Sequence, residues 1–312
     1  MSIHSKAVVK VTLVMLVWAG SFSVTKAGIY HIPPVFFAFL RFALASIILL
    51  IILFVKERNK TLPMSPGWNR SVWYKVIGMS IMGVTLYYTF FNLALRYTSA
   101  AMGSLIQGFI PVGVVVLAAL YLKERLQSIQ LVGVVISIIG VICIGFVSNP
   151  ETADFLQASI WGMSSVIVGN ILVILSALCW VIYTIISKKL AHLDSTHLTT
   201  WSTIIGTICF IPLMGVELSY EPLPVISWQG WVEILYLGVL ASALSYFWYN
   251  DAMKYLNAVE VGIFNNLDPV MGAVIAVVFL HEPVSLWQVT GTVFVLIGVW
   301  ISTVSNKTPV SH

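Results

Sequence analysis

Apolar stretches of about 20 residues recur along this chain, at roughly 8–27, 34–55, 74–95, 99–121, 129–147, 167–187, 196–214, 230–250, 257–280 and 285–304. Each is long enough to cross about 30 Å of hydrocarbon as a helix. Lipid holds no water to satisfy a stray backbone N–H or C=O, so ten stretches of this kind close their hydrogen bonds as helices. The predicted fold class is an all-α integral membrane protein with ten transmembrane helices. Composition agrees: hydrophobic residues make up 59% of the chain and charged residues 9%, against about 25% charged in a soluble domain. Nothing is left over for a folded soluble domain.

The second half repeats the first. Laid without a gap over 250–299, the segment 92–141 pairs Asn92 with Asn250, Pro111 with Pro269, Glu124 with Glu282, Gly133 with Gly291 and Gly140 with Gly298. The Trp18 segment VWAGSFSVTK lies in the same way over the Trp180 segment CWVIYTIISK. Five spans per unit is an odd number, so the second unit enters from the opposite side, giving two inverted five-helix repeats. The expected units are 1–147 and 167–312, joined by an external linker at 148–166. Inverted repeats set two related half-sites around the bilayer midplane, as in many secondary transporters.

The formal charge is +4, and its distribution reads as topology. With a cytoplasmic N-terminus, the basic residues at 6–10, 56–75, 123–125 and 188–189, with Lys254 and Lys307, all fall on the cytoplasmic side. Lys26 and Arg96 fall outside, among Glu151, Asp154, Glu217, Glu221 and Glu233, and Arg41 lies within a span. This is a positive-inside bias, so no nucleic-acid partner is expected. The first span is too long for a signal-peptide core and is expected to be retained. Cys143, Cys179 and Cys209 fall inside apolar spans and read as small hydrophobes. Trp68, Trp73, Trp161, Trp228 and Trp231 cluster near span ends, where indoles anchor at the interface.

Two charges inside spans need a reason to be there. Asp268, in FNNLDPV, falls near the middle of the ninth span, where an acid costs on the order of 3 kcal/mol on insertion scales. It is expected to face a cavity or a partner: a substrate ammonium, a proton, or a structural hydrogen bond to Asn250 or Arg41. Asn265 stands three residues before it on the same helical face, and Gln107 is the repeat-equivalent of Asn265. Pro269 and Pro111 each free a backbone carbonyl and are expected to bend their helices. Arg41, in FAFLRFALA, has three readings: it snorkels outward, pairs with an acid, or meets an anionic group of a substrate.

The third and eighth spans are dense in aromatic and amide residues, with Tyr87, Tyr88, Phe91 and Asn92 in the one and Tyr246, Trp248, Tyr249 and Asn250 in the other. The first and sixth add Trp18, Ser21, Phe22, Trp180 and Tyr183. Such a lining suits an organic solute with an apolar body and a few polar groups, although lipid-facing aromatics look the same in sequence. The expected substrate-binding set is Trp18, Tyr87, Phe91, Asn92, Gln107, Trp180, Tyr183, Trp248, Asn250, Asn265 and Asp268. Glu124 and Glu282 read as helix-end or gating residues. Gly133, Gly140, Gly291 and Gly298 read as close helix contacts within the chain rather than an oligomer seam. There is no phosphate-binding GxxxxGK loop, HExxH pair or GxSxG elbow, so no catalytic residue, metal or cofactor is expected.

Taken in order, W-A-G-S-F at 18–22, Arg41-Phe42, A-L-R-Y-T-S-A-A at 94–101, P-V at 111–112 and L-K-E at 122–124 resemble the EamA family of the drug/metabolite transporter superfamily. So do their second-unit counterparts A-M-K-Y-L-N-A at 252–258, L-D-P-V at 267–270 and L-H-E at 280–282. The resemblance runs from about residue 8 to 305. His281 departs from it, standing where the family usually has glycine. It implies ten helices, cytoplasmic termini, and export of amino acids or related small organic metabolites across the bacterial inner membrane. The mode would be alternating access, with protons as a candidate coupling ion. A multidrug pump for lipophilic cations is the rival expectation. Oligomeric state does not follow from the sequence.

Overall fold

The computed structural model describes residues 3–58, 67–122, 128–144, 159–160, 163–256, 267–281 and 284–304. These form helices α1 (Ile3–Gly28), α2 (Pro34–Glu57), α3 (Arg70–Ser80), α4 (Tyr87–Tyr97), α5 (Ala100–Gln107), α6 (Ile110–Leu122) and α7 (Ser128–Ile142). Then follow α8 (Ser165–Lys189), α9 (Ser195–Tyr220), α10 (Trp228–Leu235), α11 (Ser245–Ala252), α12 (Leu267–Leu280) and α13 (Leu286–Val304). A two-residue antiparallel ladder, β1 (Ser159–Ile160) with β2 (Met163–Ser164), precedes α8. Most of the expected linker lies outside the described residues. Among the described residues, seven helices are long and apolar enough to span a bilayer, and three shorter apolar helices accompany them. The protein is an all-α membrane protein.

Local chemistry sets the helix starts. Asn69, Ser99, Asp194 and Ser227 each accept a hydrogen bond from a backbone N–H in the first turn of the helix that follows. Helix α2 opens with Pro34 and has no side-chain cap of its own. The Glu217 carboxylate reaches across from α9 instead, accepting from the N–H groups of Val35 (3.0 Å) and Phe36 (2.8 Å). The fourth span breaks where a bend is expected. Between α5 and α6 the N–H groups of Gly108 and Phe109 turn back to Leu105 and Ile106, and Pro111 sits in the first turn of the new helix. Proline is well tolerated there because first-turn N–H groups have no intrahelical acceptor.

Two interruptions are invisible to hydropathy. Residues Ile81–Leu86, between α3 and α4, and Tyr236–Leu244, between α10 and α11, are π-helical. They overlap when the two halves are placed in repeat register. A π segment widens the helix by one residue per turn and shifts its carbonyls out of line, which is why such segments mark functional sites.

The packing partners exchange when each helix is replaced by its repeat counterpart. Helix α1 lies against α11 and α12, and its counterpart α8 lies against α4 and against α5 with α6. The pairs α2–α9 and α7–α13 map onto themselves. Two lysines repeat the relation at single-atom level. Lys26, at the end of α1, donates to the carbonyls of Leu95 and Thr98 at the end of α4, and Lys188, at the end of α8, donates to those of Met253 and Leu256 just past α11. In register, Leu95 corresponds to Met253 and Thr98 to Leu256. Each lysine caps the last carbonyls of a helix, where a cation is favoured.

Outward faces are apolar, with Ile47, Ile51 and Ile52 on α2 and Ile138, Ile139 and Ile142 on α7 among the exposed residues. The interior holds the polar side chains, including Asn92, Gln107, Asn170 and Asn250. At the end where α2 stops, Lys56 bonds Asp194 (2.7 Å) and Lys10 bonds Asp251 (2.6 Å). Burial works to raise the Asp194 carboxyl, but the Lys56 ammonium and the His197 N–H outweigh it and hold the pKa at about 2. A depressed pKa means that this contact contributes above about pH 4, the ordinary carboxylate value, and fades as pH falls toward 2. At the other end Arg96 forks onto Glu221, keeping that carboxyl below its usual range.

The glycines at seven-residue spacing form an internal seam. A Cβ on Gly140 would stand 2.6 Å from the Gly291 carbonyl, and one on Gly298 would stand 2.5 Å from that of Gly133. Gly140→Leu is expected to push α7 from α13 and to cost about 1–3 kcal/mol. Gly215→Ala, with nothing within 4 Å of the added atom, is expected to be neutral or slightly stabilising. Thermal unfolding in detergent compares the two, and equal stability would remove the seam. His281, just past α12, has φ +54°, the left-handed region where glycine is free of strain. His281→Gly is expected to match or exceed the parent by up to about 1 kcal/mol, whereas His281→Val is expected to lose about 1–2 kcal/mol.

Candidate functional site

The two halves meet in a layer of aromatic rings. Trp18 of α1 and Trp180 of α8, repeat counterparts, touch edge to face with centroids 5.1 Å apart. Around them pack Tyr246 and Tyr249 from α11, 5.6 Å from Trp180, Tyr183 at 4.8 Å and Tyr87 at 5.2 Å. Phe91 stacks beside Tyr87 and meets Phe22 edge-on at 5.3 Å. Edge-to-face and offset contacts of this kind are favourable by about 0.5–1.5 kcal/mol each beyond burial. The rings close the centre of the bundle.

The expected residues separate here. Trp18, Tyr87, Phe91, Trp180 and Tyr183 come together in the layer. Trp248 does not: it is half-buried at the edge of the core, and the ring contacts of α11 run through Tyr246 and Tyr249. One helical step separates the two faces. Gln107 accepts from the Tyr87 hydroxyl (2.8 Å) and is buried below it on α5. Asn250 is fully engaged, accepting from Ser187 (2.7 Å) and donating to Tyr183 and to Thr199 (both 3.0 Å). Those bonds tie α11 to α8 and α9. Its counterpart Asn92 donates to the Pro34 carbonyl (3.0 Å), while its Oδ1 is buried with no partner among the described residues. For Asp268 and Pro269 only the backbone is described, at the start of α12, and Asn265, Glu124 and Glu282 lie outside the described residues.

The π segments supply acceptors that the sequence could not announce. The Ala241 carbonyl takes the Trp18 indole N–H (2.8 Å), and the Gly83 carbonyl takes the Tyr246 hydroxyl (2.8 Å). Each acceptor belongs to one half and each donor to the other. Gly83 itself leaves room for the Tyr183 ring, which a Cβ there would meet at 2.0 Å.

Arg41 is 1% exposed, so it does not snorkel. Its Nε donates to Ser242 (2.6 Å), and its Nη2 to the Tyr88 hydroxyl (3.0 Å) and the Ala241 carbonyl (3.4 Å). The guanidinium also lies 4.3 Å from the Tyr88 ring centroid. Among the described residues it pairs with no acid; the Asp268 side chain lies outside them. Tyr88, Ser242 and Ala241 are the members of this site that the expected set lacked. Tyr88 was legible as an aromatic beside Tyr87, but Ser242 becomes a partner only through the π turn.

Comparison with known proteins places this geometry. The sequence profile of the EamA-like transporter family matches residues 5–146 and 167–304. An uncharacterized transporter of Archaeoglobus fulgidus is 30% identical over 96% of this chain and 98% of its own, and one of Bacillus subtilis is 29% identical over 90% and 88%. A Salmonella typhimurium protein named "Probable amino-acid metabolite efflux pump" is 26% identical over 93% of this chain and 92% of its own. A crystal structure 16% identical superposes with a TM-score of 0.68, covering 96% of this chain and 97% of that one, and so shares the fold. The family and these relatives are transporters rather than enzymes. With both halves matched along nearly their full length, the chain belongs to the EamA-like transporter family.

Proposed function

We propose that this transporter is an exporter of amino acids or related small organic metabolites, working by alternating access across a bacterial inner membrane. Its ten spans form two inverted five-helix units, 1–147 and 167–312, joined by 148–166, with both termini cytoplasmic. The exchange of packing partners, the matched Lys26 and Lys188 caps and the paired π segments support that symmetry. The positive-inside bias supports the orientation.

The observation that carries the reading is the aromatic layer, contributed by both halves and closed at the centre. A small solute with an apolar body is bound by parting these rings on one side while they stay packed on the other. The name of the Salmonella relative favours amino-acid metabolites. Asp268 takes a proton or the ammonium of the substrate, with Gln107 and Asn265 as its polar neighbours in the repeat. The rival, a multidrug pump for lipophilic cations, is disfavoured by the buried Arg41, which repels a permanent cation at the same layer.

The test is flux into liposomes holding the purified protein, across a panel of labelled amino acids and tetraphenylphosphonium, with and without a proton gradient. Saturable flux of amino acids, steepened by the gradient, is the expected result. Asp268→Asn is expected to abolish the pH-dependent part while the protein stays monodisperse. Flux of tetraphenylphosphonium alone contradicts the reading, and unchanged pH dependence in Asp268→Asn removes that residue from coupling.

A further inference from the structure

Arg41 makes all of its hydrogen bonds to neutral groups: the Ser242 and Tyr88 hydroxyls and the Ala241 carbonyl. Its Nη1 amine donates to nothing within the described residues. The described acids stand elsewhere, with Glu217, Glu221 and Glu233 toward one end of the bundle and Glu57, Asp194 and Asp251 toward the other. Cation–π contact with Tyr88 at 4.3 Å and Phe42 at 5.3 Å offsets part of the desolvation. A buried cation with no counter-charge among the described residues is still costly in a membrane, and such residues mark substrate pathways. Snorkelling would relieve the cost, and Arg41 does not do it.

A second observation points the same way. Asn92, one helical turn from Tyr88 on α4, has a buried Oδ1 that accepts no hydrogen bond from the described residues. Its counterpart Asn250 has Oδ1 doubly occupied, by Ser187 and Tyr183. Among the described residues, the first half thus carries a cation lacking an anion and, on the facing helix, an amide oxygen lacking a donor, whereas their repeat counterparts are the neutral Thr203 and the Asn250 amide with its oxygen occupied.

We propose that Arg41 recognises an anionic group of the substrate, a carboxylate, and that Asn92 Oδ1 receives the donor, an ammonium in the case of an amino acid, which leaves Asp268 the proton. A guanidinium suits this because its planar N–H groups match a carboxylate with two parallel bonds. Ser242 and Tyr88 hold the fork in place without neutralising it. The site is asymmetric: Thr199, Thr200 and Thr203 stand on α9, the counterpart of α2, so the substrate binds in one polarity. The inference rests on the exporter reading and narrows it to solutes with a carboxylate.

Counterflow of labelled phenylalanine into proteoliposomes tests it, with unlabelled phenylalanine, phenylalaninamide, phenethylamine and 3-phenylpropanoate as competitors. In the parent protein the two carboxylates are expected to compete about ten to a hundred times better than the amide or the amine, the range of a lost charge-assisted hydrogen bond. Arg41→Gln is expected to erase that discrimination. Arg41→Lys, which keeps the charge and loses the fork, is expected to retain part of it. Amide and acid competing equally in the parent overturns the proposal whatever the variants do, and so does an Arg41→Gln protein that still prefers acids. If the parent moves the amine or amide saturably but neither carboxylate, the exporter reading stands and this inference fails. If it moves tetraphenylphosphonium and none of the four, both fail.

Discussion

Every polar group of the backbone at membrane depth has to find a partner inside the protein, because the hydrocarbon offers none. The two π segments make that constraint acute by turning carbonyls out of the helical ladder. Their solution ties the halves together. Ala241 receives Trp18 and Arg41 from the first half, and Gly83 receives Tyr246 from the second. The donors are the aromatic and cationic side chains that fill the centre, so the rings are held in place by the irregular backbone they satisfy. The Trp18–Trp180 contact, between counterparts, sits where the two sets meet.

The ends are built differently from the centre. There the ties are ion pairs with both partners partly exposed, such as Arg96 with Glu221 and Lys56 with Asp194, each contributing no more than about 1 kcal/mol. Contacts that weak can be exchanged with water as an end opens. The α7–α13 seam, by contrast, packs backbone on backbone at its glycines and admits little adjustment. Loose ends, a rigid lateral seam and a packed aromatic centre suit the proposed alternating access, in which the ends open at small cost while the rings part on one side only.

The spans were legible because a helix in lipid must be apolar over a fixed length, and most boundaries fell within a few residues of the expected ones. The duplicated landmarks also brought out Trp18 and Trp180, whose rings touch, and the closely packed glycines of α7 and α13. Three features were not legible. The π segments come from tertiary competition for carbonyls, and IMGVTL and YLGVLASAL carry no mark of it. The break before Pro111 reads as a bend, since a proline in an apolar run does not say which side of it yields. Trp248 looks equivalent to its aromatic neighbours until the helix is wound, when it turns from the face that Tyr249 and Asn250 share. Arg41 was visible from the outset, but snorkelling was set aside only when its burial was known.

The inverted relation of the halves is the claim on which the site, its polarity and its gating all depend. Tyr30 follows α1 and His192 follows α8, they correspond in the repeat, and both are exposed. In a background lacking Cys143, Cys179 and Cys209, Tyr30→Cys and His192→Cys can each be labelled with a membrane-impermeant maleimide in intact cells and in inverted vesicles. Opposite sidedness, with position 30 reached only from outside and position 192 only from the cytoplasmic face, is the result that inverted units require. Labelling of both positions from the same side would contradict it.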